Sequence, residues 1–444
     1  MKHVLVLGAG LVVKPLLDDL LTEPDIRVRL ATLNIDRARQ LLTGKPRGEA
    51  LVFNALDESQ LLPEVERADA VVSLLPADQH VHIAEACLRY RTPLVTTSYI
   101  SAGMQALDAQ ARELGVLLLN ETGLDPGIDH MTAVHLIRRV REEGGEVTGL
   151  LSYCGGFPAP ESNDNPWGYK FAWSPRGVIM AVRNAVRYIE EGRVVERVFP
   201  ALFDNPRHLD VPGVGPLVAF PNRDCLRYLP LYGLDEGLED FYRGTLRYAG
   251  WCESWQALYT LGLIDLQPAS GASFAEVLEK QIPNGGEPLP VRTARRLGIS
   301  PNHPIIERLA YLGLFSDAPL PAGAVTPLDA IALRMQERLQ YAPGERDLVV
   351  LQHEVHVRMP DGRRRVITAT LMSKGTAGDD SAMARTVSTP AAIACRLVLQ
   401  GNLNLTGVQI PVDERLSEPV LAELERMGLH TEVQTRYLER RQAS

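Results

Sequence analysis

His3-Val-Leu-Val-Leu-Gly-Ala-Gly10 has the pattern of a buried strand running into a glycine turn, and Leu16 to Leu21 follows as helix. Strand, GxG turn and helix in that order open a dinucleotide-binding unit. The motif is GxGxxV: Gly8 and Gly10 can make the tight turn and let backbone approach a pyrophosphate, whereas Val13 stands where a third glycine usually allows close helix–strand packing. Alone, such a motif is a weak signal. The rhythm after it is stronger: strand patterns at Ile26 to Ala31, Ala50 to Phe53, Ala70 to Leu74, Pro93 to Thr97 and Val116 to Leu119 are separated by helical stretches such as Asp36 to Leu42 and Val81 to Tyr90. That alternation predicts a parallel, doubly wound sheet.

The last of these strands leads into Asn120-Glu-Thr-Gly-Leu-Asp-Pro-Gly-Ile-Asp-His130, and a helical pattern runs on to about Arg141. This corner puts backbone N–H groups and the carboxylates of Glu121, Asp125 and Asp129 at the carboxyl edge of the sheet, where open α/β folds bind ligands. A plainer role for Asp125 is equally open, because an Asp before Pro126 makes a good helix cap. The end of the second strand, Leu30-Ala-Thr-Leu-Asn-Ile-Asp-Arg-Ala-Arg39, carries neither the acid that holds an NAD ribose nor an arginine at the place that suits NADP. Arg37 and Arg39 could reach a phosphate or could be solvated helix charges, so NAD and NADP both remain open.

The chain has 444 residues, 45% hydrophobic and 23% charged, which suits two or three soluble globular domains. A formal charge of −9 argues against a nucleic-acid or anionic-membrane surface. No apolar run approaches the roughly 20 residues of a membrane helix, and Met1 to Gly10 is too short and too weakly flanked for a signal peptide, so a cytoplasmic protein is expected. Five dispersed cysteines without a CxxC pair suggest free thiols, not disulfides or zinc ligands. His80-Val-His82 reads as a solvated turn or helix start and His353-Glu-Val-His356 as strand, so no metal site is expected.

Beyond residue 130 the pattern changes. Leu150-Leu-Ser-Tyr-Cys-Gly-Gly-Phe-Pro-Ala-Pro160 is a strand entering a loop, and Trp167, Tyr169, Phe171 and Trp173 crowd round Lys170 as a pocket wall or subunit contact. A helix is expected over Val178 to Glu191. Arg223 and Arg247 lie in loop-like or strand-end contexts from which a guanidinium can clamp a carboxylate, or simply form a surface ion pair. Ser254 to Leu339 is mostly helical, broken by Ile282 to Pro290 and restarted by the cap Thr326-Pro-Leu-Asp329. Asp347 to Met359 and Arg363 to Met372 form a hairpin about Pro360-Asp-Gly362. One helix is expected after a Thr389-Pro390 cap, and another from Glu418 to Met427.

Several blocks carry a family resemblance: Gly8-Ala-Gly-Leu-Val-Val-Lys-Pro15, Val95-Thr-Thr-Ser-Tyr-Ile-Ser101, Asn120 to His130, Ser152 to Glu161, Gly168 to Ser174, Pro221-Asn-Arg-Asp224, Gly244-Thr-Leu-Arg-Tyr248, Glu345 to His353 and Ser381 to Val387. In this order, over nearly the whole chain, they resemble the glutamate-forming branch of the saccharopine dehydrogenase family. The resemblance implies an enzyme that interconverts saccharopine with L-glutamate and 2-aminoadipate 6-semialdehyde using NADP or NAD. It also implies a homodimer, and a Rossmann-type doubly wound parallel sheet plus a mixed α/β substrate-binding domain carrying a small all-helical insertion. The expected boundaries are 1–125 for the dinucleotide domain, with about 385–444 packing back on it, 126–250 and 345–385 for the substrate and dimerisation domain, and 251–344 for the helical domain. Many NADP-using members have an arginine where Thr32 stands.

Saccharopine carries three carboxylates, so an acidic protein must gather positive charge locally. With the resemblance in hand, Arg223 and Arg247 become the expected clamp, with Ser98, Tyr99 and Thr245 adding hydrogen bonds and Lys170 a weaker addition. Gly8, Gly10, Leu11, Val12, Thr32 and Leu75 are the expected cofactor contacts. Removing hydride from the carbon bearing the secondary amine leaves an imine for water to cleave, so a group must take a proton and return one to the leaving amine. Asp125, then Tyr99, then Cys154 are the candidates, although Cys154 could equally be a small buried apolar residue. Two alternatives stand beside this reading: a dehydrogenase of another amino-acid-derived imine such as a carboxylated polyamine, and a non-catalytic nucleotide-sensing protein on the same fold.

Overall fold

The structure, a computed structural model, describes all residues except 174–177, 179–184, 269–270, 377–379, 402 and 439–444. The chain opens with β1 (Lys2–Leu7), α1 (Val13–Leu20), β2 (Ile26–Thr32), α2 (Ile35–Leu41), β3 (Gly48–Val52), α3 (Glu58–Glu66), β4 (Ala70–Ser73), α4 (His80–Tyr90), β5 (Leu94–Thr96), α5 (Ala102–Ala106), α6 (Asp108–Leu114), β6 (Leu117–Leu119) and α7 (Ile128–Glu142). It continues with β7 (Glu146–Pro158), β8 (Val186–Glu190), β9 (Arg193–Arg197), β10 (Arg207–Val211), β11 (Gly215–Pro221) and β12 (Asp240–Tyr248). Five helices follow: α8 (Trp251–Thr260), α9 (Phe274–Gln281), α10 (Leu289–Leu297), α11 (Pro304–Tyr311) and α12 (Pro327–Arg338). The chain closes with β13 (Asp347–Arg358), β14 (Arg364–Lys374), α13 (Ala382–Gln400), β15 (Gly407–Gln409), α14 (Glu414–Arg426) and β16 (Glu432–Leu438).

These elements fall into two compact units, one of Met1–Cys154, Tyr228–Asp235 and Val349–Ser444, the other of Gly155–Arg227 and Glu236–Leu348. The first is built on a parallel sheet of order β15-β6-β5-β4-β1-β2-β3. Its central strands are continuous buried runs because helices cover both faces: β4, β5 and β6 are buried throughout, and Val4, Leu5, Val6 and Leu7 of β1 are at most 1% exposed, whereas β2 and the edge strand β3 carry exposed charges at Arg27 and Glu49. The order reverses between β1 and β4, which is where a doubly wound sheet opens a crevice at its carboxyl edge. Val13 is accommodated at the first position of α1, fully buried, and that helix packs chiefly on α13. The same unit contains the antiparallel pair β14 and β16.

In the second unit β10, β11 and β12 form an antiparallel meander and β8 pairs with both β9 and β12. Its core is aromatic: Trp167, Trp251 and Trp255 follow one another at centroid separations of 6.1 and 5.9 Å. Helix α12 opens at the expected Thr326 cap, which is a full capping box, Thr326 and Asp329 each bonding the other's backbone N–H.

Three local expectations are corrected. Val186–Glu190 is strand, not helix, and pairs with β9 across Glu191 and Gly192, both left-handed (φ 50° and 72°), the geometry of a tight hairpin turn; the rest of that segment, apart from Val178, lies outside the described residues. Helix α13 begins at Ala382, capped by Ser381 accepting from the Ala384 N–H at 3.0 Å, so Pro390 lies inside it; burial of Ala391, Ala392 and Ile393 offsets the missing helical bond. Helix α14 likewise starts at an Asp413 cap and contains Pro419.

Gly127 caps α7 with φ 148°, and a Cβ there would lie 2.0 Å from the Gly123 carbonyl oxygen. Gly127→Ala is therefore expected to cost roughly 2–4 kcal/mol, against about 1 kcal/mol for Gly44→Ala, whose left-handed backbone faces open space. Urea unfolding compares the two, and equal losses would show that the loop yields without strain.

Candidate active site

In the first unit, the carboxyl ends of β1, β4, β5 and β6 release four neighbouring loops: Gly8 to Val12, Leu74 to Gln79, Thr97 to Ser101 and Asn120 to Gly127. Asp125 is not the helix cap. The cap position belongs to Gly127, whose N–H donates to Asp129 Oδ1 at 2.6 Å, leaving the Asp125 carboxylate to accept from the Tyr99 hydroxyl at 2.5 Å. Two of the three acid–base candidates thus meet in one short bond. Cys154, the third, sits buried in β7, and all five cysteines are buried without disulfides.

Ser98 is held by a histidine that sequence reasoning took for a solvated turn. His80 is 3% exposed; its Nδ1 lies 3.1 Å from Ser73 Oγ, and its Nε2 lies 2.9 Å from Ser98 Oγ and 3.0 Å from Thr96 Oγ1. The ring ties the ends of β4 and β5 together. Burial pushes its imidazole down to about 4, with the Asp78 carboxylate opposing. Because the folded value lies below the ordinary 6.5, the unfolded chain takes up the proton first, and stability falls as pH drops from 6.5 towards 4. Between pH 7 and pH 5 the loss due to this group is on the order of 2 kcal/mol. Urea unfolding should show His80→Gln losing less than the parent over that interval by about this amount; parallel losses would contradict a neutral buried ring.

Glu121, expected only as one of three carboxylates at the sheet edge, and His130, given no role, form a buried network. Glu121 Oε1 accepts from the Ile100 N–H at 2.9 Å, while Oε2 accepts from the Tyr228 hydroxyl at 2.9 Å and lies 2.8 Å from His130 Nε2. His130 Nδ1 in turn lies 2.6 Å from the Tyr232 hydroxyl. No periodicity signals this cluster, because its members come from two loops and a helix start.

The cofactor edge fits a dinucleotide. Gly8 is left-handed (φ 103°), with its Cβ position 3.2 Å from the Leu74 carbonyl, and the Cβ position of Gly10 faces open space, so backbone is free to approach a pyrophosphate there. Leu11, Leu33, Val52 and Leu56, at or just beyond the carboxyl ends of β1, β2 and β3, are all more than half exposed, an apolar edge suited to an adenine ring. Val12 and Leu75 lie on the two loops flanking Gly8, and Thr32 ends β2 with its Oγ1 accepting from the Asn34 N–H at 3.2 Å. Arg39 faces Asp36, and Arg37 stands in the first turn of α2.

In the second unit, Thr245 and Arg247 lie two residues apart on β12 and so share a face. Arg247 is 5% exposed, its guanidinium 4.7 Å from the Tyr169 ring centre and 5.3 Å from that of Trp251. Nη1 donates to the Leu246 carbonyl at 2.7 Å, Nε has no acceptor, and among the described residues no carboxylate pairs with the group. A buried cation without an anion is costly, and it is positioned to gain from a ligand carboxylate. Arg223 follows β11 in a left-handed conformation (φ 60°), half-buried. Lys170 is already engaged: burial disfavours its charge, but Asp164 at 2.7 Å and Glu345 at 2.5 Å outweigh that and raise its pKa. No group of three metal-ligating side chains occurs among the described residues.

Residues 4–119 match the family model described as saccharopine dehydrogenase NADP binding domain, and residues 123–429 match saccharopine dehydrogenase C-terminal domain. The chain is 36% identical over 453 residues to a saccharopine dehydrogenase (NADP(+), L-glutamate-forming) of Pyricularia oryzae, covering 96% of this chain and 98% of the relative. It is 36% identical over 448 residues to the protein of the same description from Saccharomyces cerevisiae, covering 98% and 99%. A solved structure, apo histidine-tagged saccharopine dehydrogenase (L-Glu forming) from Saccharomyces cerevisiae, superposes with a TM-score of 0.88 at 34% identity, over 98% of this chain and 100% of that one.

Proposed function

The chain belongs to the saccharopine dehydrogenase family, and we propose that it is an NADP-dependent, L-glutamate-forming enzyme that interconverts saccharopine with L-glutamate and L-2-aminoadipate 6-semialdehyde in lysine metabolism. The observation that carries the chemistry is the 2.5 Å bond between Tyr99 and Asp125 on loops at the carboxyl edge of a dinucleotide sheet. When bound, NADP supplies the hydride acceptor. Asp125 takes the proton from the secondary amine or from the water that attacks the imine, with the Tyr99 hydroxyl as its hydrogen-bonded relay, and returns a proton to the leaving glutamate nitrogen. Arg223 and Arg247 hold substrate carboxylates, with Ser98 and Thr245 adding hydrogen bonds. Arg37 and Arg39, in α2 just beyond the β2 edge, are the arginines assigned to the cofactor phosphate, in place of an arginine at Thr32.

Purified protein given saccharopine and NADP should reduce the nicotinamide and release glutamate in equal amount. No reduction with saccharopine, but reduction with a carboxylated polyamine, would move the substrate assignment to another imine.

Exposed Met372, Met427, Val433 and Tyr437, on or beside β14, α14 and β16, support a homodimer, which sedimentation at graded concentration tests. Five buried, unbridged thiols suit the reducing cytoplasm, and no described helix is long and apolar enough to cross a membrane.

A further inference from the structure

We propose that Glu121 is a positioning residue that fixes the Tyr99–Asp125 pair, an inference that rests on the acid–base role proposed for that pair. Glu121 is fully buried and, though not glycine, is left-handed at φ 58°, a conformation that persists only where surroundings over-determine it. Its backbone N–H donates to the Ser98 carbonyl at 3.2 Å, and its Oε1 accepts from the Ile100 N–H at 2.9 Å. One residue therefore grips the chain on both sides of Tyr99. Thr122 continues the seam: its N–H and its hydroxyl both donate to the Thr96 carbonyl, at 3.2 and 3.0 Å. The Tyr99 hydroxyl then reaches Asp125, four residues along the chain from Glu121, closing a ring of Glu121, Tyr99, Asp125 and the backbone between them.

The second carboxylate oxygen anchors that ring. Tyr228 donates to Oε2, and His130 Nε2 lies 2.8 Å from it, with Nδ1 2.6 Å from the Tyr232 hydroxyl; a ring nitrogen facing an acceptor-only carboxylate bonds to it only as N–H. Three donors converging on one side chain require an acceptor-only group, which is a carboxylate. Asp129 Oδ2, 3.9 Å from His130 Nδ1, is the other acid facing the imidazole. Through these bonds Glu121 sets where the tyrosine hydroxyl and the aspartate meet. An error of about 1 Å in that meeting is worth around a hundredfold in rate.

The test is a double-mutant cycle with saccharopine and NADP. Glu121→Gln keeps an acceptor for the Ile100 N–H, and Tyr228 and His130 can reorient to receive its amide. It is expected to lower kcat about thirtyfold, with the NADP Kd changed less than about twofold. Tyr228→Phe, which removes a single donor, is expected to lower kcat by less. The double variant Glu121→Gln/Tyr99→Phe should be no slower than Tyr99→Phe alone, because the residue acts through the tyrosine. Multiplying losses, or a kcat fall matched by equal weakening of NADP binding, would overturn the inference and leave Glu121 a general structural residue. If Tyr99→Phe and Asp125→Asn both turn over at the parental rate, the acid–base reading itself fails, a result distinguishable from failure of the positioning role.

Discussion

Asp125→Asn is expected to lower kcat with saccharopine by about a hundred- to ten-thousand-fold. The amide matches the carboxylate in size and still offers Oδ1 to the Tyr99 hydroxyl, so the 2.5 Å contact and the loop Asn120 to Gly127 can persist. What it cannot do is hold the proton taken from the amine or from water. The cap position of α7 is Gly127, which the change leaves in place. The NADP Kd should therefore move less than about twofold, as expected of an interaction used in the transition state and not in cofactor binding. Steady-state turnover beside fluorescence titration of NADP checks both halves. Full turnover in the variant would take Asp125 out of the chemistry.

Replacing Arg247 by Met is expected to reduce kcat/KM for saccharopine by about a hundred- to a thousandfold, since losing one partner of a buried charge pair with substrate costs roughly 2–5 kcal/mol. The same change should alter folding stability by no more than about 1 kcal/mol. Arg247 is 5% exposed and its Nε is without an acceptor, so Met removes a charge that gains nothing from a protein carboxylate while filling much of the space beside Tyr169 and Trp251. Stable protein with poor saccharopine use is the signature of a ligand-directed arginine. Marked destabilisation with unchanged kcat/KM would make Arg247 a stacking element of the aromatic core.

The parts legible in the sequence were those whose signal is local. The parallel strands from β1 to β6 are short segments rich in apolar residues that alternate with helical patterns, and the expected bounds of each lie within a few residues of the observed ones. The β13–β14 hairpin announced itself through Asp361-Gly362, and α12 through its capping box. Tyr99 and Asp125 were identified by motif, and the structure joins them.

What was missed depends on tertiary surroundings. Val186–Glu190 has helical-looking spacing, but a left-handed Glu191-Gly192 turn commits it to a hairpin. Thr389-Pro390 suggests a helix start and the second helix is expected from Glu418, whereas both helices begin earlier, at the Ser381 and Asp413 caps, and run through Pro390 and Pro419. His80 reads as solvated from its local sequence; its partners Ser73 and Thr96 end β4 and β5, and Ser98 lies in the loop after β5. Glu121 gave no hint of its partners because they lie at positions 98, 100, 130 and 228.

The most direct test of the central claim, that the Tyr99–Asp125 pair moves the proton, is the pH dependence of kcat/KM for saccharopine with NADP in the parent and in Asp125→Asn. The parent should show an acidic limb, where rate falls as a base is protonated, and the variant should be slow with that limb absent. A variant that keeps both the limb and the rate would contradict the account and transfer the proton to another group.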